Sequence, residues 1–146
     1  MRKPLFTVAA AILFAASLGA SPASAQRFLR NTATVQQNGH GNGAAVAQLG
    51  QGNATNIGQR GNDHTAVVHQ DDDNTAFVRQ VGQGHTATIS QENGGNAACL
   101  IQAGNNVSTD IAQAGGEHTA VFASPRGSRQ LRPFMAYYFC RRGGGR

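Results

Sequence analysis

Eight glutamines recur along the chain, at Gln37, Gln48, Gln59, Gln70, Gln80, Gln91, Gln102 and Gln113, in steps of eleven residues with a single step of ten between Gln70 and Gln80. A period this regular restricts the fold more than any local motif, because every unit must occupy an equivalent place in a repeating structure. Three further columns travel with the glutamines. Six residues before them stand Asn31, Asn42, Asn53, His64, Asn74, His85, Asn96 and Val107; four before stand Ala33, Ala44, Thr55, Ala66, Ala76, Ala87, Ala98 and Thr109. Two before stand Val35, Val46, Ile57, Val68, Val78, Ile89, Leu100 and Ile111. A ninth unit reads His118, Ala120 and Phe122, with Ser124 where the glutamine would be.

The columns lie two residues apart, the period of one face of a β-strand. The residues between them vary freely: Gly43, Ala45 and Ala47 in one unit, Thr75, Phe77 and Arg79 in another. The constant face is therefore the buried one. Between strands come glycine-rich turns such as NGHG, LGQG and VGQG, and the shortened Asp71-Asp72-Asp73 accounts for the step of ten. Glycine reaches positive φ without a steric penalty, and Asn and Asp bond their own backbone, so these segments turn tightly.

The unit is a strand and a turn, repeated nine times. Two units make a coil, and stacked coils pair each strand with its equivalents about 4.8 Å above and below. The expected fold is all-β, a β-solenoid of two flat parallel sheets whose identical side chains form ladders. An Asn or Gln amide carries donors and an acceptor and can bond its equivalent one rung along. A buried amide left unpaired costs about 1–3 kcal/mol, so a slip of one residue, which also buries the variable face, is strongly disfavoured.

The chain has 146 residues and no Trp, so a conventional two-layer core would be thin. Arg2 and Lys3, the apolar run Val8 to Ala20 and the small residues Ala23-Ser24-Ala25 have the layout of a secretory signal peptide, placing the mature start near Gln26. No cysteine follows the small residues, so a lipid anchor is not expected. Export makes the surroundings oxidising, where Cys99 and Cys140 could form one bridge or remain thiols.

The pattern Gln-x4-Asn-x5-Gln, with Gly two after the first Gln and Ala two after the Asn, resembles the curlin repeat. Gln37, Gly39, Asn42, Ala44 and Gln48 fit throughout; Gln48, Gly50, Asn53 and Gln59 fit apart from Thr55 in the Ala position. His64 and His85 replace Asn, Asn93 replaces Gly, and Val107 loses the polar rung. The Ser that often opens the family's repeat is absent, with Asn31, Asn53 and His85 in its place. The resemblance extends from Asn31 to Ser124.

Curlins are secreted subunits of curli, the amyloid fibres of bacterial surfaces. The resemblance implies passage through a curli-type outer-membrane pore with accessory factors, then polymerisation outside the cell with itself or other curlin subunits, for adhesion and biofilm matrix. No cofactor is implied. The assembly residues would be the ladders Gln37, Asn42, Gln48, Asn53, Gln59, His64, Gln70, Asn74, Gln80, His85, Gln91, Asn96, Gln102 and Gln113. Open strand edges at both solenoid ends offer unpaired backbone groups, and neither terminal unit reads as a distinct polar cap.

From Pro125 the pattern stops. The last segment carries six arginines and no acid, whereas Gln26 to Ser124 carries four arginines against seven acids, a net −3. The tail is expected to be disordered. The family includes a minor nucleator with a divergent basic terminal repeat held at the cell surface, so Arg126, Arg129, Arg132, Phe134, Tyr137, Tyr138, Arg141 and Arg142 are candidate tether residues. Major subunit and nucleator both remain open. No nucleic-acid module frames these arginines, and no nucleic-acid partner is expected.

Two polar features have plainer readings than chemistry. His64, His85 and His118 fall in the Asn column at no metal-ligand spacing, so one polar rung replaces another, with repulsion expected below about pH 6.5. The single acidic turn Asp71 to Asp73 lacks the repetition of a calcium-binding β-roll. No nucleophile–base or paired-carboxylate arrangement stands outside the repeat, so no enzyme is expected. The competing function is a monomeric secreted solenoid that binds ice or a surface ligand, for which Thr32-Ala33-Thr34 and Thr86-Ala87-Thr88 supply short Thr-x-Thr rows.

Overall fold

A computed structural model describes residues 30–130. The expected leader, Met1 to Ala25, and the chain beyond Gln130 lie outside the described residues. Each repeat forms a strand at the alternating columns and turns at its glycines: β1 (Thr32–Asn38), β2 (Gly43–Gln48), β3 (Ala54–Asn62), β4 (Thr65–Gln70), β5 (Thr75–Gln83), β6 (Thr86–Glu92), β7 (Ala97–Asn105), β8 (Ser108–Ala114), β9 (His118–Ser124) and β10 (Gly127–Gln130). Odd and even strands separate into a six-stranded sheet, β1-β3-β5-β7-β9-β10, and a four-stranded sheet, β2-β4-β6-β8. Every pairing among β1 to β9 is parallel. The architecture is the expected two-sheet β-solenoid.

Register follows the columns. Gln37, Gln59, Gln80 and Gln102 align in one sheet, and Gln48, Gln70, Gln91 and Gln113 in the other. Burial alternates strictly along β4, where Ala66, Val68 and Gln70 are buried and the residues between them exposed. The slot between the sheets is filled by Ile57, Val78 and Leu100 from one side and Val68, Ile89 and Ile111 from the other, spaced by alanines 66, 76, 87 and 98. Fully burying each of these aliphatic side chains contributes about 1.5–3 kcal/mol.

Along one edge of the stack Gly39, Gly61, Gly82 and Gly104 lie in a column with φ between 105° and 131°. A Cβ on any of the first three would fall on the carbonyl oxygen of the glycine in the next coil, so the column exists because these residues lack one. The step of ten is absorbed in the turn Asp71 to Asp73, where Asp73 takes φ 51° and Asp72 Oδ1 accepts the Gln51 N–H at 2.7 Å.

Two expectations are corrected near the C-terminal end. The ninth unit is out of the expected phase: β9 pairs with β7 so that Thr119 faces Ala98, Val121 faces Leu100 and Ala123 faces Gln102. His118 is therefore exposed and outside the Asn column, and Phe122 lies outward opposite Ile101. The cause is a second short turn, Ala114-Gly115-Gly116, which brings Val121 rather than Phe122 into the row of Ile57, Val78 and Leu100, where an aromatic ring in place of an aliphatic side chain would overpack. The basic segment, expected to be disordered from Pro125, instead begins with β10, which runs antiparallel along β9 with Ser128 opposite Ala123. Cys99, on the outer side of β7, is buried and disulfide-bonded; Cys140 lies outside the described residues.

Candidate functional site

The glutamine columns form two continuous amide ladders. In the larger sheet Nε2 of Gln37, Gln59 and Gln80 donates to Oε1 of the next glutamine at 2.7, 2.8 and 2.8 Å. In the smaller sheet Gln48, Gln70 and Gln91 do the same at 3.0, 2.8 and 2.7 Å. In every ladder glutamine except Gln37 the amide also donates across the slot to a backbone carbonyl of the facing sheet, among them Gln59 to Gly43, Gln80 to Thr65, Gln91 to Thr75 and Gln102 to Thr86. These glutamines thus join successive coils and also the two sheets. Column spacing reveals the first of these connections but not the second.

The asparagine columns work differently from the expected amide-to-amide ladder. Asn31, Asn53, Asn74 and Asn96 each turn Oδ1 to the backbone N–H of the residue one coil on, at Asn53, Asn74, Asn96 and Glu117, over 2.9–3.0 Å. The requirement is an acceptor, and imidazole meets it. Asn42 Oδ1 accepts from the His64 N–H, His64 Nδ1 from His85, and His85 Nδ1 from Val107. Val107 closes this column, so its lack of an acceptor leaves no described N–H unpaired. At the position of the missing glutamine, Ala123 leaves the Thr109 hydroxyl buried without a partner, whereas the equivalent Thr55 hydroxyl donates to Gln70 Oε1.

With Nδ1 accepting, the proton of His64 sits on Nε2 and points to the Arg60 carbonyl at 3.2 Å. The ring stacks on His85, centroids 4.9 Å apart. Burial lowers the His64 pKa below its ordinary value, against the raising effect of the Arg60 carbonyl, and the neighbouring His85 lowers it further. Protonation would also place a hydrogen on Nδ1, facing the His85 N–H. The folded chain binds this proton more weakly than the unfolded chain does. Stability is therefore full above about pH 6.5 and falls as pH drops below that value towards the folded pKa. Urea midpoints at pH 7.5 and 5.5 are expected to show this loss, and His64→Asn, which keeps an acceptor, to reduce it. An equal loss in the variant would assign the effect to other groups.

Of the candidate tether residues, Arg126 is exposed in the β9–β10 turn and Arg129 lies in β10 opposite Phe122. Arg132, Phe134, Tyr137, Tyr138, Arg141 and Arg142 lie outside the described residues. The Thr-x-Thr rows of the competing ice-binding reading fall on different sheets, Thr32 and Thr34 in β1 and Thr86 and Thr88 in β6, and do not combine into one flat surface.

The curlin-associated-repeat family model matches residues 30–61 and 72–104, which hold β1, β2, β5, β6 and most of β3 and β7. No curated protein and no solved structure matches the chain. The matched segments hold six of the eight glutamine rungs, Gln37, Gln48, Gln59, Gln80, Gln91 and Gln102, and all four residues of the glycine column, and the chain is one that carries curlin-associated repeats.

Proposed function

We propose that this chain is a secreted subunit of curli-type extracellular amyloid fibres, contributing to adhesion and biofilm matrix on a bacterial surface. The reading rests on one observation above the rest: the backbone and amide pairing that stacks one coil on the next can equally stack one chain on another. A parallel in-register sheet with dry apolar rows and amide ladders is the arrangement of cross-β fibres. Secretion through a curli-type pore and tethering of the basic tail at the cell surface belong to the same reading, as does association with other curlin-repeat subunits.

Expression in a curli-secreting bacterium tests it. The chain is expected in detergent-resistant surface fibres that diffract at about 4.7–4.8 Å along the axis. Recovery solely as soluble monomer in the medium would overturn the assignment.

A further inference from the structure

The two ends of the solenoid are not equivalent. At the N-terminal end, β1 and β2 each pair on one side only, with β3 and β4. Their inner rows are open: Ala33, Gln37 and Ala44 are exposed, and Val35 and Val46 are half-buried, whereas Ile57 and Val68 one coil on are sealed. At the C-terminal end, Val107, Ile111, Gln113 and Ala123 are all buried. The free side of β9 is occupied by β10 in the antiparallel sense, which no parallel coil continues.

The ladders carry a direction as well. Every glutamine–glutamine bond donates towards the C-terminus, and every Asn or His acceptor receives an N–H from the coil on its C-terminal side. Besides the alternate strand-edge groups of β1 and β2, the N–H groups of Ala33 and Ala44 among them, the N-terminal edge therefore presents two amide acceptors, Oε1 of Gln37 and Gln48, and two further backbone donors, the N–H groups of Asn31 and Asn42. None of these last four groups is paired among the described residues. A matching surface needs a glutamine donor and an Asn- or His-type acceptor in each sheet. This chain's own last coil supplies Gln113 and the Glu117 carboxylate, but Val107 and Ala123 stand at the other two places.

We infer that the chain assembles through its N-terminal edge alone. The partner it fits is the C-terminal end of a different curlin-repeat solenoid, one whose last coil keeps glutamine and an Asn- or His-type acceptor in both sheets. A second copy of this chain meets that edge with two rungs missing and with β10 in the way. Such a molecule occupies one end of a fibre and does not propagate through it. The inference rests on the fibre-subunit reading above and specifies which partner and which end.

The probe is a polymerising curlin-repeat polypeptide with intact last-coil rungs, used as sonicated fibres. Gold-labelled mature chain, residues 26–146, is added, and electron microscopy scores the label along each fibre. Label is expected at one end only, and the chain alone is expected to stay largely unpolymerised under conditions where the probe grows. The backbone N–H groups of Ala33 and Ala44 point away from β3 and β4, since those of Thr32 and Gly43 make the inward bonds. Ala33→Pro with Ala44→Pro therefore removes two edge donors without breaking a strand pair, and should reduce end-labelling about thirtyfold. Far-UV circular dichroism checks that the variant is folded; if it is not, Ala33→Glu with Ala44→Glu, at exposed positions, puts charge on the same edge. Label at both ends or along the fibre, unaided growth at the probe's rate, or full binding by the folded edge variants would overturn the inference and leave the fibre-subunit reading standing. Absence of wild-type label anywhere would overturn both.

Discussion

Gly82→Ala is expected to abolish cooperative folding of the solenoid, while Gly58→Ala leaves it intact. Both residues lie in strands of the same sheet, so the contrast isolates geometry from composition. Gly82 sits at φ 131°, and a Cβ there would overlap the Gly104 carbonyl oxygen, with the Gly104 backbone nitrogen 3.2 Å away. That carbonyl belongs to the next coil's backbone and cannot rotate aside as a side chain would. Relief requires separating β5 from β7, and the columns of Gly61 and Gly104 would have to follow. A backbone conformation hostile to L-residues combined with a main-chain overlap places the loss at about 4 kcal/mol or more, a large share of the stability of a domain this size. Gly58 has no positive φ, and a Cβ there meets nothing within 4 Å. Urea titrations followed by circular dichroism would separate the two; similar midpoints for both variants would refute the account of the glycine column.

Gln80→Glu is the second large effect. Gln80 is fully buried, accepts from Gln59 at 2.8 Å, donates to Gln102 at 2.8 Å and crosses to the Thr65 carbonyl at 3.0 Å. Glutamate has nearly the same shape, so no cavity opens and the packing is unchanged. It still accepts from Gln59 but, when ionised, donates nothing, and its second oxygen faces the acceptors of Gln102 and Thr65. An uncompensated buried charge of this kind costs about 3–5 kcal/mol. Protonation restores one donor, so the loss should be smaller at pH 4 than at pH 7.5. A midpoint within error of the wild type at neutral pH would show that the ladder contributes no register or stability.

Much of this was legible before any coordinates. Strands that bury alternate residues must repeat apolar and amide columns at spacing two, and coils that stack must repeat them at a constant interval. Eight strands, their division into two sheets and the glutamine register all follow from Gln37 to Gln113 by counting. The histidines at 64 and 85 were recognisable as rungs, although the reason, an acceptor for the next backbone N–H, required the direction of each bond. The ninth unit was misread because two phases fit its letters equally. With a short turn, Glu117, Thr119, Val121 and Ala123 occupy the columns as readily as His118, Ala120, Phe122 and Ser124 do with a long one. A repeat count cannot choose between them; the volume of the slot can.

The pattern of residues by itself determined that this chain stacks coils in parallel register, because a period shared by polar and apolar columns has no other way to satisfy buried amides. Only the tertiary structure decided how the stack ends. Whether a last strand remains open or is covered depends on a short non-repeating segment, Gly127–Gln130, that turns back antiparallel along β9. No periodicity encodes that contact, because hydrogen bonding to a strand edge uses backbone groups that every residue carries.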